Sequence, residues 1–431
     1  MLLKMVFGRI SSILFKINIE NFLKTSIGLF CIILAIQQIG HFDFYIDGGF
    51  FKNELIRNRF YYFGQFSALD LSSSPIWFYL LNGLQVLLGV ILVSSKGNRI
   101  IAFGLWVLVV SFQNRNEFIL YGGDVAFRML IACYILLPVS NYIYRFQLWA
   151  IYFFTGLLKL MNPVWREGEG ILLGLRLEHL ATPLGRYASQ YSEFLTIGNY
   201  LVLVIELVLS AVVLFPNIKL RYHYFIAALF IGMHTLIALL MSVGAFSWIM
   251  TLWWIGYIAL VKEGVVREKN QSSISLNRKV ITATFVAIIL LVNVNSLKVF
   301  SNESGLLKYV YTGINFIRFD QNWAMFSNVE KQPDGYFLLE KEGLTITPFP
   351  LTQFNENESL YSAAFPDHRW VKVLFSVLKD SRSNRALSET VEEWLCGRYV
   401  RIAGAERFRL FFKNAQGIET ILMGNCRSTD N

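Results

Sequence analysis

The chain has 431 residues, of which 55% are hydrophobic and only 16% charged, with a formal net charge of +9. A soluble chain of this size would carry charge on roughly a quarter of its residues, so the composition excludes an ordinary soluble enzyme and points to a polytopic membrane protein. The positive balance does not indicate nucleic-acid binding, because much of it falls in loops that flank apolar stretches.

The first residues, MLLKMVFGRISSILFKINIENFLK, are basic and amphipathic and have no small-residue cleavage site. They read as an interfacial helix over 1–21 that leads into the first span. A membrane span needs about 20 mostly apolar residues. The candidates are Phe22–Ile39, Ile76–Val93, Ile100–Phe112, Val125–Val139, Tyr142–Leu160, Leu195–Phe215, Tyr224–Leu240, Val243–Val261 and Val280–Leu297. About nine transmembrane helices over 22–299 are therefore expected, with the third and fourth meeting in a partly re-entrant region.

Lys4, Arg9, Lys16 and Lys24, then Lys96 and Arg99, Arg145, Lys219 and Arg221, and Lys262 to Lys279 all fall on one side of a nine-span arrangement. Basic loops stay inside. The expectation is a multi-pass protein of the plasma (inner) membrane, with a cytoplasmic N-terminus and an extracytoplasmic C-terminus.

After Leu297 the chain becomes polar. Gly335–Leu339, Leu344–Phe349, Phe408–Phe412 and Glu419–Met423 alternate as half-buried strands do, while Arg369–Leu378 and Leu387–Leu395 read as helices. A small extracytoplasmic α+β domain is expected over 300–431. Cys31 and Cys133 lie in apolar spans. Cys396 and Cys426 can pair if their domain faces an oxidising compartment.

Three stretches could carry chemistry. In IYFFTGLLKLMNPVWREGEGILL, residues 151–173, Tyr152, Thr155, Gly156 and Lys159 share one helix face. A lysine in an apolar span is a functional candidate, although near the end of a helix it can also snorkel into the headgroups. In SFQNRNEFILYGGDVAFRML, residues 111–130, Asn114, Asn116 and Glu117 form a polar cluster, Gly122 and Gly123 permit a turn, and Asp124 and Arg128 are spaced for an i, i+4 ion pair. Glu206 lies mid-span and must be protonated or paired, with Arg128, Lys159 and His234 as candidate partners. His234, in FIGMHTLIALLMSVGAFSWIM, can be a packing residue or part of a site. No histidines have metal-ligand spacing, so no metal is expected.

These residues carry a resemblance. The stretches IYFFTGLLKLMNPVWREG, NRNEFILYGGDVAFR, HTLIALLMSVGAFSWIM and FDQNWAMFSN, with DHRWVKVL at 367–374, are similar to the HTTM family, the bacterial membrane proteins related to vitamin K-dependent gamma-glutamyl carboxylase. The resemblance covers nearly the whole chain and is most specific around Lys159. It implies Lys159, His234 and Glu117 as catalytic residues. Asn114, Asn116, Tyr121, Asp124, Arg128, Tyr152, Trp165 and Glu206 are the implied binding residues for a quinol or substrate.

The implied cofactor is a reduced, vitamin K-like quinone, with oxygen and carbon dioxide, and the implied partner is an exported peptide in the lipid bilayer. Carboxylase-like chemistry, or that of a quinol-dependent oxidoreductase or lyase, is the activity implied. Glu117 stands where the carboxylase has a histidine, and the carboxylase's large lumenal region is much reduced, which leaves carboxylation itself open. The alternative is a non-catalytic factor for maturation or export of a secreted peptide, of the sporulation-delaying-toxin accessory type.

Overall fold

A computed structural model describes residues 18–47, 49–50, 57, 66–94, 97–177, 179–267, 275–297, 305–329, 336–341, 347–349, 368–380, 385–397, 406–414 and 417–426. The N-terminal amphipathic segment lies outside the described residues, apart from its last few.

Each of the nine apolar segments is a helix. They are α1 (Ile19–Gly40), α2 (Pro75–Val93), α3 (Arg99–Arg115), α4 (Gly122–Leu136), α5 (Asn141–Met161), α6 (Ser192–Leu207), α7 (Leu220–Leu240), α8 (Phe246–Arg267) and α9 (Leu276–Ser296). The starts are set by short polar side chains that accept the first free amide hydrogens. Asn18 caps α1, Ser74 caps α2 just before Pro75, Asn98 caps α3 and Ser140 caps α5. The first helix ends at His41, whose Nδ1 lies 2.6 Å from the Gln37 carbonyl.

Five stretches are long and apolar enough to cross a membrane: α1, α2, α7, α9, and α6 together with the 3-10 turn that extends it to Leu214. Their exposed faces are rows of large apolar side chains at helical spacing, such as Leu29, Ile33 and Ile36 on α1 and Phe194, Ile197, Leu201 and Val204 on α6. Apolar surface of that extent suits lipid and would aggregate in water.

The other four helices are shorter or more polar. Two of them, α5 and α8, bury Tyr144, Gln147, Tyr152 and Lys159 and Trp253, Trp254 and Tyr257 inside the protein. A helix shielded from lipid by its neighbours needs no unbroken apolar surface. Helix α5 packs against α4, α6, α8 and α9. Helices α1 and α2 cross at Gly28 and Gly89, where a Cβ on either would come within 2.9 Å of the other's carbonyl oxygen. Small residues let backbones approach this closely in membranes.

After Leu297, α10 (Leu306–Phe316) packs Tyr311 and Ile314 into the core of the helical bundle, and α11 (His368–Asp380), α12 (Arg385–Leu395) and an antiparallel sheet form an α+β unit. The strands β1 (Tyr336–Lys341), β2 (Thr347–Phe349), β3 (Arg407–Asn414) and β4 (Gly417–Asn425) lie in the order β2-β1-β3-β4. They match the four alternating runs in the sequence, though Gly335 and residues 344–346 lie outside the described residues. Phe337 pairs with Phe412 and Leu339 with Leu410. These side chains share one face of the sheet and pack with Leu387, Val391 and Trp394 of α12. A disulfide joins Cys396 to Cys426. The same apolar cluster runs on into Phe44, Tyr45, Phe112 and Phe118, so this unit sits on one end of the helical bundle.

Candidate functional site

The candidate residues fall into two groups. The first is built on the inner face of α5. Gly156 has no side chain, and a Cβ there would come 2.9 Å from Leu207 Cγ and 3.0 Å from Glu206 Cβ. Its absence lets α6 close on α5. Lys159, one turn further on, then places Nζ 2.7 Å from Glu206 Oε1. Both residues are buried, with 6% and 4% of their surface exposed. Of the three partners open to Glu206, the structure selects Lys159, and the lysine does not snorkel.

Around this pair, Nζ lies 4.7 Å from the Trp165 ring centre, within cation–π range. Trp165 is fixed by donating its indole N–H to the Phe326 carbonyl and accepting at its own carbonyl from Asn199. Asn162 donates to the Ser327 carbonyl at 2.7 Å. Two turns earlier on α5, Tyr152 meets α7 and α8. Its hydroxyl is 2.6 Å from His234 Nε2 and 2.7 Å from the Trp254 indole nitrogen. Tyr152 and Lys159 stand on one face of α5, seven residues apart, so the two couples line the same side of that helix. Thr155 is absorbed by its own helix, donating to the Ile151 carbonyl.

The second group is the turn between α3 and α4. Helix α3 stops at Arg115 because Asn116 is extended, with φ −152° and ψ 100°, and its side chain caps the following 3-10 turn, Glu117–Ile119. Asn114 donates to the Phe66 carbonyl and Asn116 to the Phe44 carbonyl. Glu117 takes Arg318 Nη1 at 2.5 Å. Tyr121 accepts from the Ala245 amide, and its own amide donates to Asp124.

The expected i, i+4 pair between Asp124 and Arg128 does not form. Asp124 sits in the first turn of α4, reaching back over the helix end to Arg369 Nη2 at 2.9 Å. Arg128 reaches the other way, to Gln113 Oε1 at 2.6 Å and Asp320 Oδ2 at 3.3 Å.

Lys159, Glu206, Tyr152, His234 and Trp165 therefore come together, while Asn114, Asn116, Glu117, Asp124 and Arg128 hold a turn against distant chain. Tyr121 stands between the groups. Its ring lies where a side chain on Gly244 (φ +63°) would go, and the next residue but one, Phe246, packs its ring on His234.

The segment 317–329 touches both groups: Arg318 and Asp320 grip the turn, and Phe326 and Ser327 grip Trp165 and Asn162. Arg318 and Phe326 adopt positive φ of 54° and 59° to do so. Sequence reasoning did not single out Arg318, Asp320, Arg369, Gln113 or Trp254. The available signals were the charges of Arg318 and Asp320 directly before QNWAMF and Arg369 within DHRWVKVL.

Burial raises Glu117 above the usual carboxylate range, with the Arg318 guanidinium working against it. Arg318→Met leaves this carboxylate buried without its main partner, and is expected to destabilise the protein by about 3 kcal/mol. The sign with pH follows from the raised value. A carboxyl that holds its proton more tightly when folded stabilises the fold at low pH, and that stability is lost as pH rises through the raised value. Thermal unfolding in detergent should show the deficit of Arg318→Met growing as pH rises above the ordinary carboxylate range. A deficit that shrinks as pH rises contradicts the assignment.

Among the described residues, no three His, Cys, Asp or Glu side chains group as a metal site. No protein-family model, no curated protein and no solved structure matches this chain.

Proposed function

We propose that this chain is an integral membrane enzyme of the HTTM and vitamin K-dependent carboxylase type. In this reading it binds a reduced quinone and acts on an exported peptide or small molecule, with Lys159 as the base. The observation that carries the reading is the Lys159–Glu206 pair, buried between α5 and α6. A buried ion pair is rarely favoured over apolar residues of similar size, so its presence in an apolar bundle argues for a role beyond packing.

In a low-dielectric site the pair can hold its proton as ammonium and carboxylate or as amine and carboxylic acid. With the proton on Glu206, Lys159 is an amine that can accept another. The surrounding atoms fit a hydroxyl-bearing ring. Among the described residues, Glu206 Oε2 and His234 Nδ1 are both buried without a hydrogen-bond partner, and Trp165, Tyr152 and Trp254 supply aromatic walls. The quinol supplies an acidic hydroxyl and, with oxygen, the oxidation from which a stronger base is formed. Glu206 tunes the amine, while Tyr152 and His234 orient the ligand.

The same reading places the protein in the plasma membrane as a multi-pass chain, with its N-terminus inside and its α+β unit outside. The one-sided distribution of basic loops supports this orientation. The Cys396–Cys426 disulfide supports it independently, since such bonds persist in oxidising compartments.

The test is a difference-spectrum titration of the purified protein with reduced 2-methyl-1,4-naphthoquinone. Wild type is expected to bind, and Lys159→Met to bind at least about tenfold more weakly, a loss of about 1.4 kcal/mol. Absence of binding to wild type overturns the reading.

A second reading, a non-catalytic factor for peptide maturation or export, is favoured by β4. It lies at the edge of the sheet with Ile418 and Met423 exposed, and such an edge can receive an extended peptide. Peptide binding that survives Lys159→Met, without any quinol binding, would select it.

A further inference from the structure

The Tyr152 hydroxyl sits between two ring nitrogens, Trp254 Nε1 at 2.7 Å and His234 Nε2 at 2.6 Å. An indole N–H can only donate, so the tyrosine oxygen accepts from Trp254. Tyr152 has one proton of its own to place, and the acceptor described within reach is His234 Nε2. If Nε2 carried a hydrogen instead, the tyrosine oxygen would take two donors and its own proton would be buried with no acceptor. Such an orphan costs about 1–3 kcal/mol.

The satisfied arrangement runs in one direction, from Trp254 to Tyr152 to His234. It leaves the histidine neutral, with its hydrogen on Nδ1. That atom is buried and has no hydrogen-bond partner among the described residues. Among the described residues, the rings packed against His234 are those of Tyr152 and Phe246, and neither accepts from Nδ1. Buried donors are nearly always satisfied, so an Nδ1–H left without an acceptor is open to a ligand oxygen.

We propose that the Trp254–Tyr152 relay locks His234 as the Nδ1–H tautomer, making His234 a hydrogen-bond donor to a ligand oxygen rather than a proton acceptor. A hydroxyl or oxyanion on a ring fits, because its oxygen accepts from Nδ1–H. The inference deepens the proposed quinol site and rests on that reading only for the identity of the ligand. Tyr152 is then a positioning residue, acting through His234.

The experiment is 15N NMR on the full-length protein in lipid nanodiscs, labelled at its five histidines. The signals of His234 are identified by their loss in His234→Gln. At neutral pH the wild type is expected to show a protonated Nδ1 and a bare Nε2. Tyr152→Phe is expected to shift the signals toward a mixture of tautomers. A protonated Nε2 in wild type overturns the proposal, whatever the variants do. A Tyr152→Phe protein that keeps the pure Nδ1–H form overturns the relay as its cause. Adding reduced 2-methyl-1,4-naphthoquinone, whose hydroxyl oxygens accept, is expected to move the Nδ1 signal. A locked tautomer whose signal stays still upholds the assignment and counts against the quinone reading.

Discussion

Lys159→Met alone is expected to cost about 3–5 kcal/mol of stability, and Lys159→Met combined with Glu206→Leu to recover most of it while binding no quinol. The single change strands Glu206, whose Oε1 loses its partner at 2.7 Å and whose Oε2 already has none. A lone carboxylate in the bundle must either pay desolvation or take up a proton. The double change removes both polar groups and leaves apolar side chains of similar size. The neighbours need little rearrangement, because Gly156 already sets the α5–α6 distance. Chemical or thermal unfolding of the three proteins, run beside the naphthoquinol titration, separates the two roles. Recovery of stability without recovery of binding identifies a functional pair. A double variant no more stable than the single one shows instead that the pair holds the two helices together.

The apolar architecture was legible in the sequence because hydropathy is a local property. All nine stretches are helices, and five of them are apolar enough to span by themselves. Helix α5 shows why the remaining four are harder to read. Its composition mixes lipid-like residues with Tyr144, Gln147 and Lys159, and only the surrounding helices reveal that these point inward. The strand alternation of β1, β3 and β4 was likewise local, whereas the sequence left the Cys396–Cys426 pairing open and only the fold brings the two thiols together.

The site divides along the same line. Tyr152 and Lys159 share a face by spacing alone, and Glu206 demanded a partner by its burial in an apolar run. Which partner it took depended on a helix approach set by Gly156, which spacing does not show. The turn residues misled more. Asp124 and Arg128 have ideal spacing for an ion pair, yet each is claimed by a residue about 190 to 250 positions away. Periodicity carries no information at that range. The side chains of Arg318, Asp320 and Arg369 acquire meaning only when the segment 317–329 and α11 are placed against the bundle.

The second large effect is expected at that junction: Arg369→Ala should release the α+β unit from the bundle and speed its proteolysis by on the order of a hundredfold or more. Arg369 meets Asp124 through two nitrogens, at 2.9 and 3.3 Å, donates to the Ile119 carbonyl, and lies over the Tyr121 ring. Burial works against its charge, but Asp124, Tyr45 and Tyr121 outweigh it and hold the guanidinium above its ordinary pKa. Breaking such a pair from one side costs about 3–5 kcal/mol, and each 1.4 kcal/mol is about a factor of ten in the open population that a protease samples.

Arg369→Lys keeps the charge and loses the planar two-pronged contact, so it should fall between wild type and alanine. Replacing both partners will not restore docking as it does for Lys159 and Glu206. Asp124 also accepts from the Tyr121 amide at the start of α4, so its loss uncaps that helix as well. If Arg369→Ala leaves the proteolysis rate unchanged, the apolar contacts of Trp370 with Phe44 and Phe50 hold the junction, and the ion pair serves to orient Tyr121 above the candidate site.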